Sequence, residues 1–210
     1  MGLSVTVGML ADLEQNDAES AAWFRGELAK VNRVLEANGT AAFAEPGTLA
    51  RELRLNAADS YPYSFLHYLR RAYAFQREGL PLTPAGDRIS KADDNAIEDA
   101  GSGFDSHLLM HSDAEGFYVP VDFDEPIFSD DVPGAMLGSS QGLLRELVKV
   151  APFLGIELTA TGELTDTVRQ KLLDADTNET PPYYREYVVW HSLYEAARLS
   201  IAHQTMIVFH

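Results

Sequence analysis

Residues 107–123 read HLLMHSDAEGFYVPVDF, and whether they form a hairpin decides what the rest of the chain can build. The centre, SDAEG, is made of turn formers, and FYVPVDF is rich in β-branched and aromatic residues. The stretch is therefore expected to be a hairpin with its loop at 112–116. Alternation then puts His107, Leu109, His111, Phe117, Val119, Val121 and Phe123 on one face. In a strand the two imidazoles stand about 13 Å apart, too far to share a metal. A helix would bring them together, but the turn formers argue for strand. The compact cluster is His111, Asp113 and Glu115. An imidazole beside two carboxylates can act as a general base with an orienting acid, or hold a hard cation. In the plainer reading Asp113 shapes the turn, Glu115 is solvated and His111 packs on Phe117.

Outward from this stretch, residues 4–9, SVTVGM, suit a first strand and residues 205–209, TMIVF, a last one. Phe24, Leu28, Val31 and Leu35 recur at helical spacing after a start near Asn16 and Glu19, and Asn38-Gly39 supplies the stop. A second helix is expected over 62–78, with Phe65, Leu66, Leu69, Ala72, Tyr73 and Phe75 inward and His67, Arg70, Arg71 and Ala74 outward. Residues 79–103 are rich in Pro, Gly and Asp without a period, which reads as a mobile loop. Further helices are expected from Ser139-Ser140, over 165–176 and over 182–204. The sum is a single α+β domain over residues 1–210, a small mixed sheet of about four strands packed with about five helices.

The chain has 210 residues, 32 acidic and 16 basic, for a net charge of −16. Twelve of the acidic residues and none of the basic ones fall in residues 92–144, so three quarters of the excess charge sits in one quarter of the chain. Binding nucleic acid through a basic footprint is disfavoured. There is no cysteine, which excludes disulfides and thiolate chemistry. No run is long and apolar enough for a membrane span, and a cytoplasmic protein is expected.

The remaining motifs are incomplete. Asp122, Asp124, Glu125, Asp130 and Asp131 form a second acidic group, but the glycine of a calcium loop is missing. GAMLGSSQG has Gly134, Gly138 and Gly142 before a helix but no phosphate-loop lysine, so Ser139 and Ser140 either cradle an anion or cap the helix. His191 and Glu195 are four apart on the last helix, within an aromatic stripe of Tyr183, Tyr187, Trp190 and Tyr194 that suits a core. No set of three ligands has a spacing that forces a metal site, and no cofactor motif is present.

The strand opening at MG, the Gly-Ser capped helix GAMLGSSQGLLRELVKV, and the helix feeding a strand in AARLSIAHQTMIVFH together resemble bacterial domains of the YfbM-like kind. The resemblance implies an architecture and no chemistry. The residues themselves point to a non-enzymatic binding module, an inhibitor or toxin-immunity protein. Asp113, Glu115, Asp122, Asp124, Glu125, Asp130 and Asp131 would meet a basic protein surface, since a one-signed face steers an oppositely charged partner. The alternative is a small-ligand or metal-dependent, hydrolase-like enzyme using His111 as base, Asp113 as orienter and Glu115 as second acid or ligand.

Overall fold

The structure is a computed structural model that describes residues 2–179 and 181–210. Strand β1 (Gly2–Val7) buries Leu3, Val5 and Val7 in alternation, and Gly8, at a φ of 73°, turns the chain into α1 (Met9–Asn16). Asp17 then separates α1 from α2 (Ala18–Ala37): its backbone is extended, and its carboxylate accepts the Ser20 N–H at 3.1 Å. The cap is thus Asp17 with Ser20, one residue beyond the Asn16 and Glu19 pair expected from sequence.

β2 (Ser60–Pro62) leads into α3 (Tyr63–Glu78), which ends at Gly79 in the left-handed region. Next come α4 (Lys91–Gly101), α5 (His107–Met110), β3 (Gly116–Val119), β4 (Ile127–Phe128) and β5 (Met136–Ser139). The chain closes with α6 (Ser140–Val150), α7 (Asp166–Thr177), α8 (Tyr184–His203) and β6 (Ile207–Phe209). The class is α+β with a mixed sheet, as expected, but the described residues form six strands and eight helices. The strand order is β2-β1-β6-β3-β5-β4, with β3 and β5 parallel and every other pair antiparallel.

Helices cover both faces of the sheet. Phe117, Val119, Leu137 and Val208 pack under Phe24, Val31 and Leu35 of α2. Tyr118, Ile207, Phe209, Val5 and Val7 pack under α3, α6 and α8, through Leu69, Leu147, Trp190 and Leu193 among others. No helix among the described residues is long and apolar enough to cross a membrane.

Residues 107–123 are not a hairpin. Residues 107–110 are the helical turn α5, held at its start by Ser106, whose Oγ accepts the Leu109 N–H at 3.0 Å, and by Glu146, whose carboxylate accepts the His107 and Leu108 N–H groups at 2.9 and 2.7 Å. Leu108 and Leu109 are adjacent and both buried, which a one-sided strand cannot achieve. β3 takes its partners from β5 and β6 and is buried on both faces, so alternation carries no meaning along it.

The segment 79–103, expected to be one loop, contains α4. Ser90 and Asp93 form a reciprocal capping box at its start, with Ser90 Oγ accepting the Asp93 N–H and Asp93 Oδ2 accepting the Ser90 N–H. α4 and α5 pack on the side of α3 expected to face solvent, so Arg70 and Arg71 are only 5% and 3% exposed and Ala74 is fully buried.

Candidate functional site

The structure does not assemble His111, Asp113 and Glu115 into a catalytic group. The His111 ring is buried, stacked on Tyr118 with centroids 4.2 Å apart and set edge-on to Phe209. Its Nδ1 lies 3.0 Å from the Ser112 carbonyl, and burial pulls its pKa down to about 4, so it stays neutral. Asp113 turns the other way. One oxygen is gripped by Arg70 and the other lies 3.0 Å from His67 Nε2. Burial raises the Asp113 pKa, but the His67 hydrogen bond and the Arg70 charge outweigh it and hold the carboxyl at about 2. Arg70 also donates to the carbonyls of Leu108, at 2.9 Å, and His111, so it clamps the turn after α5. Glu115 is exposed, and its carboxylate has no partner among the described residues.

The anion-cradle reading of Ser139 and Ser140 gives way to packing. Both side chains are fully buried: Ser139 Oγ caps α6 by accepting the Gly142 N–H at 3.0 Å, and Ser140 Oγ meets Ser200 Oγ at 2.7 Å. The neighbouring glycines are there because rings lie across them. A Cβ on Gly138 would sit 2.3 Å from the Tyr118 ring, and one on Gly142 would sit 2.1 Å from His107. His107 is held as a neutral spacer, with Nδ1 accepting the Ser139 N–H at 3.1 Å and Nε2–H donating to the Phe123 carbonyl at 3.3 Å.

On α8, Glu195 lies 3.6 Å from His191, but its carboxylate is occupied by the Asn56 and Ala57 N–H groups at 2.5 and 3.2 Å, which ties the connection between α2 and β2 to the helix. Trp190 and Tyr194 stack within the core. Among the described residues no group of three or more His, Asp or Glu is placed to hold a metal.

What remains is the acidic surface, and folding has edited it. Four arginines from outside residues 92–144 reach into that segment. Arg71 binds Asp93 at 2.6 Å, Arg77 binds Asp105 at 3.0 Å, Arg70 binds Asp113, and Arg145 binds Asp122 at 2.6 Å with Asp124 at 3.9 Å. Of the seven carboxylates expected to form the binding face, Asp113 and Asp122 are thus neutralised and Asp124 is partly so. Glu115, Glu125, Asp130 and Asp131 stay exposed, and among the described residues none of them forms an ion pair. Asp94, Glu98 and Asp99 of α4 join them, a set missed when 79–103 is read as a loop. The signal was the capping box within SKAD at 90–93.

Glu98 and Asp99 occupy the last turn of α4, where no basic residue accompanies them. Negative charge there opposes the helix dipole, and Asp94 and Glu98 repel each other at i, i+4. The helix carries this charge at a cost to itself.

Fold and surface together define an acidic α+β protein whose open carboxylates lie on α4, at Glu115 just before β3, and in the segment after β3. The chain matches, over residues 1–209, the family described as "Putative DNA-mimic protein", and it belongs to that family. Comparison with curated proteins and with solved structures yields no match. The family match overturns the YfbM-like resemblance, which rested on three segments whose capping and packing patterns are common to many folds. It also replaces the toxin-immunity and enzyme readings, and it corrects the expectation of a basic protein partner with no part for nucleic acid, since the family description refers to DNA.

Proposed function

We propose that the protein offers its open carboxylates to the DNA-binding surface of another protein, in the place of DNA phosphates. One observation carries this reading beyond the family description: after four arginines have neutralised their partners, seven exposed carboxylates between residues 94 and 131 form no ion pair within 4.0 Å among the described residues. Lysines and arginines that meet phosphates on DNA can pair with such carboxylates, and association is then steered by charge and weakened by salt. Nucleic acid enters as the competitor. The reading places the protein in the cytoplasm, with access to DNA-binding proteins.

The test is retention of proteins from a nuclease-treated extract of the source cells on the immobilised chain at low salt. The comparison is a variant with Asp94, Glu98, Asp99, Glu115, Glu125, Asp130 and Asp131 changed to Asn or Gln. The wild type is expected to retain DNA-binding proteins that added DNA releases, and the variant to lose them. Equal retention by both, or retained proteins that DNA does not displace, would refute the proposal.

A further inference from the structure

Two phenylalanines stand out within the acidic surface. Phe104 is 62% exposed and Phe128 is 50% exposed, and their rings meet edge to face with centroids 6.0 Å apart. They come from different elements: Phe104 follows α4, and Phe128 belongs to β4, the outermost strand of the sheet. Neither ring is an overspill of the core. Next to Phe128 in β4, Ile127 points into the core under α2, while Phe128 faces outward.

The backbone at Phe104 is the second unusual feature. Its φ is 55°, in the left-handed region that bulky side chains avoid, although Gly103, which could take that conformation freely, stands beside it with an ordinary φ. The fold bears strain that sets an apolar ring in water, and such an outlier points to a use. Along the chain the charge beside the pair has one sign, although in space Arg77, Arg145 and Lys149 line one pocket with Asp105, Asp124 and Glu125. Within five residues of one ring or the other lie Asp99, Asp105, Asp124, Glu125, Asp130 and Asp131, and no lysine or arginine. Asp105 and Asp124 have an arginine within 4.0 Å, and the other four are open.

A protein that grips only the phosphates of a duplex has no use for an aromatic patch. A groove that binds single-stranded DNA does, because it combines a cationic track for the backbone with aromatic or apolar platforms on which unstacked bases lie. We infer that the Phe104–Phe128 pair stands in for unstacked bases, and that the surface it anchors fits the single-strand-binding groove of a DNA-binding protein. This rests on the DNA-mimic reading above and narrows its partner class.

The test uses two purified probes: a single-stranded-DNA-binding protein carrying a labelled oligo-dT strand, and a duplex-binding protein carrying a labelled duplex. Displacement of each label by the wild-type chain is compared with that by a Phe104→Asn, Phe128→Thr variant. Asn tolerates the left-handed backbone and Thr suits a strand, so both rings are removed with little disturbance, which melting and circular dichroism verify. A Phe104→Tyr, Phe128→Tyr variant keeps the rings. The wild type and the Tyr variant are expected to displace oligo-dT, with the ring-free variant about 10- to 100-fold weaker, as for loss of one or two stacking platforms. Displacement of duplex alone, or of oligo-dT equally by all three proteins, would overturn the inference and leave the DNA-mimic reading standing. Displacement of neither would remove both.

Discussion

Buried titratable side chains shape how stability responds to pH. Burial pushes Glu45 and Glu146 up to about 7 and pulls His107 and His111 down to about 4. The two glutamates keep protons in the folded state that the unfolded chain has released. Their contribution is complete below an ordinary carboxyl pKa of 4.5 and is lost as pH rises to about 7. The two histidines stay neutral where the unfolded chain is protonated. Their contribution is complete above 6.5 and is lost as pH falls to about 4. Between these limits the slopes oppose each other, and buried Glu186, also pushed up by desolvation, adds to the glutamate side, so the wild type is expected to change less from pH 5 to 6.5 than the glutamates alone would dictate. Glu146→Gln removes one glutamate slope while keeping shape and an acceptor for the start of α5. Relative to wild type, its unfolding free energy from urea titration is expected to rise with pH over that range, by up to about 1.4 kcal/mol per unit. Parallel profiles for the two proteins would show that Glu146 does not titrate there.

The helix that matters most to the proposed interface, α4, trades its own stability for surface charge. Its N-terminus is well made, with the Ser90 and Asp93 box and Asp93, Asp94 favourably placed near the dipole. Its C-terminus is not, because Glu98 and Asp99 sit in the last turn. Glu98→Lys with Asp99→Lys is expected to raise stability by about 0.3–1 kcal/mol per site, through the dipole and through attraction between Asp94 and the lysine introduced four residues on. The same double variant is expected to bind DNA-displaceable partners less well. A melting temperature that falls on making it would show that the two acids stabilise α4 by some other route. α5 and β3 teach a different lesson. SDAEG and FYVPVDF have the composition of a hairpin, yet the N–H groups of 107 and 108 are taken by Glu146, which lies well along α6, and that contact decides for helix.

Taken as one body, the molecule carries a charge of −16 with seven open carboxylates between 94 and 131, and self-repulsion among them opposes folding. Salt screens charges over about 10 Å at 0.1 M, so the melting temperature of the wild type is expected to rise between 10 and 200 mM NaCl. The sevenfold neutralised variant should melt higher at low salt and respond less to added salt. A wild-type melting temperature that ignores salt would mean that the carboxylates lie too far apart to repel.

Features carried by near neighbours were legible along the chain. The amphipathic face of α2, the aromatic stripe of α8, the Ser139 cap of α6, the strands at both ends and the cation-free run at 92–144 all follow from spacing and composition, because helices, caps and charge density are built from residues close in sequence. Partner choice was not legible. Arg70 meets Asp113 43 residues away, Arg77 meets Asp105 28 away and Arg145 meets Asp122 23 away. Covering both faces of β3 with helices likewise erased the alternation from which sidedness is read. Which carboxylates remain open, and which aromatic rings stand among them, was decided by tertiary packing, since a charge is neutralised by whatever the fold brings within a few ångströms of it.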